Sequence, residues 1–166
     1  VLSVVACPIV FAGLLSIWRA EGHSRALGAI ATASTLVLAA VAMTGRSARS
    51  PELPGLDARV AFALDGGSLV LVPLFAGIAL VAVVGMPRRF LDRRGAVALL
   101  LSLGAVQGTA CATNLLVVVL FFCVGALAPL VALFGPRATT SPPRAARRLV
   151  ITSSTIGIVA AVATVI

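Results

Sequence analysis

Gly95 to Gly135 reads GAVALLLSLGAVQGTACATNLLVVVLFFCVGALAPLVALFG, without one charged side chain from end to end. At 1.5 Å per residue, a run of about 40 residues would form a single helix of roughly 60 Å, twice the ~30 Å depth of a hydrocarbon layer. The polar pair Thr113-Asn114 near its middle is the natural place for a tight reversal, so the run is read as two spans, Gly95 to Ala112 and Leu115 to Phe134.

Apolar runs of similar length recur on either side. Val1 to Trp18, Ala26 to Thr44, Ser68 to Met86 and Leu149 to Ile166 each approach the length of a crossing, which gives about six transmembrane helices in all. Val1 to Trp18 has no charged leader and is somewhat long for a signal-peptide core, so it is read as a first span. A chain opening on valine is expected to be a processed or incompletely represented product. Composition agrees with a membrane class: 60% of residues are hydrophobic, 11% are charged and the mean hydropathy is +1.15, outside the range of water-soluble domains. The expected fold is therefore all-α, a polytopic transmembrane helix bundle forming one domain over residues 1–166.

The formal charge of +8 comes from arginine alone, without lysine, and the arginines lie in short connections rather than in a basic stripe. That distribution is a topology signal and argues against nucleic acid as a partner. Alternate connections carry ten arginines on one side and three on the other. The positive-inside bias then puts the amino terminus outside. Gly45 to Asp65, the longest polar connection, with breakers at Pro51, Pro54 and Gly55, lies on the outer side, and Arg88-Arg89, Arg93-Arg94 and Arg144 to Arg148 lie inside. The last part of the outer connection, where Val60, Phe62 and Leu64 alternate with alanines, has the pattern of a short strand.

Chemistry-bearing residues are few. An ionisable side chain inside a span is a functional candidate by default, because burying it is costly without a partner or water. None stands at mid-depth. Asp65, before Gly66 and Gly67, is the nearest approach; it could open a proton path, but an aspartate there more simply caps the third helix. Ser102, Gln107, Thr109, Thr113 and Asn114, with Thr152 to Thr155, could hold a water chain, although such groups more often bond back to their own helix or across to a neighbour. Asp65, Gln107, Thr109 and Asn114 are the proton-path candidates. Gly104 and Gly108 form a small-xxx-small pair that permits close helix approach, and Pro129 is expected to kink the fifth span. Cys7, Cys111 and Cys123 fall inside apolar runs with no metal-binding spacing, His23 sits between Glu21 and Arg25 in a polar connection, and no cofactor or catalytic motif is present. No metal site and no catalytic residue is assigned.

An outer amino terminus, six spans, a long outer loop closing on Asp65-Gly66-Gly67-Ser68-Leu69 and a tight hairpin between spans four and five resemble one family. The chain is similar to the amino-terminal part of the antiporter-like membrane subunits of respiratory complex I, and to Mrp-type sodium/proton antiporter subunits. In that family the third span opens with a motif close to Asp-Gly-Leu-Ser-Leu, matched by Asp65, Gly66 and Ser68, and the fifth opens as Asn114-Leu115-Leu116-Val117 does. Pro129 with Gly135, and the basic opening Arg144 to Val150 of the sixth span, resemble the subunit M branch, equivalent to mitochondrial subunit four. The chain departs from the family at its chemistry. The essential fifth-span glutamate would fall at Cys123 or Val124, depending on the anchor used, and neither is a carboxylate.

The resemblance implies a structural or proton-path-associated membrane-arm subunit of a complex I-like NADH:quinone oxidoreductase, a split or degenerate copy lacking the key glutamate. It implies an energy-transducing membrane, mitochondrial or bacterial inner, other membrane subunits and lipids as partners, and no cofactor on this chain. Without the glutamate, proton transfer by mutual pKa shifts with a lysine has no basis here. The alternative is an independent small membrane transporter or channel; a membrane-embedded enzyme is the weakest reading, since no acid, base, nucleophile or metal set converges.

Overall fold

The computed structural model describes residues 1–17, 23–44, 62–64, 66–85, 92–134 and 151, the side chains of 116 and 129–134 excepted. Five helices account for nearly all of them: α1 (Leu2–Ile17), α2 (Ser24–Thr44), α3 (Gly66–Gly85), α4 (Arg93–Cys111) and α5 (Leu115–Phe134). The first five expected spans coincide with these helices to within two residues at each end. The sixth, Leu149 to Ile166, lies outside the described residues apart from Ile151. Among the described residues, α2, α3 and α4 are long and apolar enough to cross a membrane. Helix α1 is apolar but, at 16 residues, covers only about 24 Å. Apolar residues also fill α5, where Val117–Ala128 is a shorter apolar stretch.

Local sequence explains where helices begin. Asp92 caps α4, its side chain accepting from the Gly95 amide at 2.8 Å. Asn114 performs the backbone part of the same task for α5, its carbonyl accepting from Val117 and Val118, each at 3.1 Å. Helix α3 opens on Gly66 at φ 42°, a left-handed conformation that favours glycine. Prolines stand inside α1 (Pro8) and α3 (Pro73); membrane helices tolerate them where neighbouring groups satisfy the carbonyl that each ring leaves without its donor.

Packing is antiparallel between successive helices and centres on α4. Helix α4 contacts each of α1, α2, α3 and α5, whereas α5 contacts α4 alone among them. Buried positions on α1 (Val4, Val5, Pro8, Ala12, Leu15) and α3 (Ser68, Val72, Ala76, Ala79, Val83) recur every three or four residues, so each helix buries one stripe. Helix α4 buries residues on several sides, among them Ala96, Leu100, Gly104, Gln107, Gly108 and Cys111. Two apolar clusters divide the interior by depth. One joins Ala12 and Leu15 of α1, Ala31 of α2 and Ala96, Val97 and Leu100 of α4. The other joins Val4 and Val5, Ala39, Val72, Cys111, Val117 and Phe121 with Phe62 and Leu64, which precede α3.

Small residues recur at the helix contacts, while many large aliphatic residues face outward. Leu74, Ile78, Val81 and Val84 of α3, Val37 and Val41 of α2, and Leu120, Phe122 and Leu127 of α5 are all exposed, while Ala31, Ala39, Ala76 and Gly104 are buried. A water-soluble protein places its large aliphatic residues inside. Close-packed helices in lipid can also leave large aliphatic residues outside, since small residues let backbones approach and lipid solvates the rest.

Of the expected strand, Val60 lies outside the described residues, and the described Phe62, Ala63 and Leu64 make no more than an isolated bridge. Among the described residues the pairing is one antiparallel bridge, Phe62 with Ala112, with the Ala63 amide donating to the Cys111 carbonyl at 2.8 Å. All three residues are buried, because the segment is covered by the ends of α4 and α5. Phe62 meets Phe121 edge to face, with ring centroids 5.8 Å apart. The bridge gives a partner to one of the carbonyls that the end of α4 leaves unpaired.

Candidate functional site

Gln107 is the polar residue that the fold sets apart. It lies on α4 between Leu100 of the first cluster and Cys111 of the second, is 0% exposed, and neither its Oε1 nor its Nε2 meets a hydrogen-bonding group. A buried amide left without partners destabilises a fold by about 1–3 kcal/mol for each unmet group, so Gln107 is a position of chemical interest rather than packing alone.

Three threonine hydroxyls, those of buried Thr32 and Thr35 and of half-buried Thr109, resolve locally. Thr32 Oγ1 donates to the Gly28 carbonyl at 2.9 Å, Thr35 Oγ1 to the Ala31 carbonyl at 2.7 Å, and Thr109 Oγ1 to the Ala105 carbonyl at 2.9 Å. Each returns its proton to its own helix one turn earlier. Thr109 follows Gln107 by two positions and so points about 200° round the helix from it. Asn114 stands at the far end of α4, about 10 Å along the chain axis from Gln107, at the start of α5. Asp65 lies outside the described residues, as do Thr152 to Thr155; Gly66 opens α3 and Ser68 is buried on its inner stripe. Gln107 and Thr35 each lie between the two apolar clusters, whereas Thr109 is set apart from Gln107 by direction round α4 and Asn114 by distance along it.

Arginines at the end of the bundle away from Phe62 close neighbouring helices. Arg93, at the start of α4, donates through Nε to the Leu15 carbonyl at 2.6 Å and through Nη2 to the Ser16 carbonyl. Arg25, at the start of α2, donates through Nη2 to the Val84 carbonyl. Both guanidinium groups therefore close the carboxy-terminal end of an adjacent antiparallel helix, where carbonyls lack partners and the helix dipole is negative. The signal was present in the sequence, since an arginine in the first turn of one helix lies beside the last turn of its antiparallel neighbour.

Small residues on α4 fix its distance to two partners. A Cβ on Gly104 would come to 2.6 Å from Ile9 Cγ1 and 3.4 Å from Pro8 Cγ, both on α1, and a Cβ on Gly108 would overlap the Phe121 ring of α5. The pair noted in the sequence thus serves two interfaces rather than one. None of the three cysteines is in a disulfide: Cys111 is buried in the second cluster, and Cys7 and Cys123 are half-buried. Among the described residues, no group of three His, Cys, Asp or Glu side chains could hold a metal ion. Cys123 and Val124, where the resembled family would place a glutamate, are both half-buried on α5. His23 is exposed, and its carbonyl accepts from the Leu27 amide at 2.9 Å.

Comparison with known proteins finds neither a protein-family model that matches this chain nor a curated protein that matches it.

Proposed function

We propose that the chain is a helix-packing subunit of a larger membrane assembly, and that the assembly is the membrane arm of a complex I-like NADH:quinone oxidoreductase. The observation that carries the packing role is the charge distribution within the helices. Among their described residues, charged side chains occur only in first turns, at Arg25, Arg93 and Arg94. A subunit that carried protons by itself would need a titratable group near mid-depth. The choice of assembly rests on the motif resemblance at Asp65 to Leu69 and Asn114 to Val117. On this reading the chain supplies helices beside a proton path and performs no redox step.

Purification from native membranes in mild detergent, with co-migrating proteins identified by mass spectrometry, tests the proposal. The expected result is recovery with other membrane subunits of an NADH:quinone oxidoreductase. Recovery as a lone species overturns it. Gln107 favours one second reading, a small independent transporter, because an unmatched buried amide is the kind of group that lines a permeation path. In proteoliposomes of the purified chain, that reading expects a flux that Gln107→Leu abolishes, whereas the packing role expects none.

A further inference from the structure

Gln107 has a neighbour at its own depth that sequence inspection does not reveal. The register between α1 and α4 is set by contact at Gly104, where a Cβ would lie 3.4 Å from Pro8 Cγ and 2.6 Å from Ile9 Cγ1. The two helices run in opposite directions, since Arg93 at the start of α4 donates to Leu15 and Ser16 at the end of α1. One turn from that contact toward the Phe62 end, α4 reaches Gln107 and α1 reaches Val4.

Val4 is the residue whose carbonyl Pro8 cannot serve. A proline at position i has no N–H for the carbonyl at i−4, so the ladder bond that would close this turn of α1 is absent. Pro8 and Val4 are both buried. Helix α2 adds an acceptor at similar depth. Thr35 lies between Ala31, in the first cluster, and Ala39, in the second, just as Gln107 lies between Leu100 and Cys111. It is 0% exposed, and its hydroxyl proton is committed to the Ala31 carbonyl, which leaves lone pairs on Oγ1.

We propose that Gln107, the Val4 carbonyl and Thr35 Oγ1 form an internal hydration site in the half of the bundle nearer Phe62, holding one or two water molecules between α1, α2 and α4. The ligand follows from enclosure and charge. Gln107 is sealed from the surface, so neither a lipid headgroup nor a side chain of another subunit reaches it. No charged side chain of the described helices lies beyond their first turns, so an ion has no counter-charge. A small neutral molecule that both donates and accepts is required, and water bound to two to four polar groups meets that description. Water accepts from Nε2, donates to Oε1 or to the Val4 carbonyl, and bridges two helices that share no direct polar contact there. The inference concerns the inside of this bundle and stands whichever assembly the chain joins.

Full-length chain in lipid nanodiscs permits the test, with Gln107→Met, Pro8→Ala and the double variant. In water-edited solid-state NMR, the unaltered protein is expected to show a cross-peak between water and the Gln107 side-chain amide. Pro8→Ala returns an N–H to the Val4 carbonyl and is expected to weaken that cross-peak at least twofold. Gln107→Met is expected to lower the thermal midpoint, and to lower it less when Pro8→Ala is present. Absence of the cross-peak in the unaltered protein overturns the proposal. So does a higher midpoint in Gln107→Met, the result for an amide that had no partner at all.

Discussion

Helices α3 and α4 are similar in length and opposite in character. Helix α3 is among the most apolar segments and buries one stripe, with Leu74, Ile78 and Val81 turned outward. Helix α4 is the least apolar of the five, carries Ser102, Gln107 and Thr109, and is the one helix in contact with the other four. In water the order would be reversed, because burial follows hydrophobicity. Here α4, the least apolar helix, has the larger buried share, and α3, more apolar, the smaller. Lipid tails solvate leucine as well as a protein interior does, so what draws helices together is close backbone approach and hydrogen bonding.

The contrast can be broken most severely where α4 touches α5. Gly108→Leu would drive a side chain into the ring of Phe121, a buried residue of the second cluster. Overpacking of this kind costs about 1–3 kcal/mol and sometimes more. Thermal unfolding in detergent should show the largest loss of the set, with α5 detaching first, measured as new protease sensitivity near Thr113 and Asn114. Replacing Arg93 by glutamine is expected to have an intermediate effect, about 1 kcal/mol, since the bonds to Leu15 and Ser16 are charge-assisted but partly exposed. Its measurable sign would be faster amide exchange in the last turn of α1, with the rest of the bundle unchanged. Ile78→Ala on the outer face of α3 sharpens the comparison from the other side. Its Cβ faces away from the bundle, so stability should move by less than ~0.5 kcal/mol; a loss as large as that of Gly108→Leu would show that α3, too, is packed by protein.

The sequence made the helices legible because lipid-crossing runs must be long and uncharged, and Thr113-Asn114 interrupts the one run that is too long. It did not make the inner faces legible. With lipid outside, both faces of a helix are apolar and periodicity carries little information; the spacing of alanine, threonine and glycine, as in Ala31, Thr35 and Ala39, was the signal to follow. Alternation at Phe62 to Leu64 misled for a related reason. A segment covered on every side buries consecutive residues, so a two-residue period reports nothing about pairing. Of the candidate site, Gln107 was visible as a polar residue in an apolar run. Its isolation was not visible, because that depends on which neighbouring helices cover it, with α1 packed against Gly104 one turn away.

Paramagnetic broadening of backbone amides by a lipid-soluble nitroxide, measured on the protein in nanodiscs, tests the arrangement most directly. The account predicts strong broadening at Leu71, Leu74, Ile78 and Val81 of α3, and protection at Leu100, Gly104, Gln107 and Cys111 of α4 from both this reagent and a water-soluble one. Equal broadening along the two helices, or broadening of the α3 positions by the water-soluble reagent, would contradict a bundle centred on α4 with α3 against lipid.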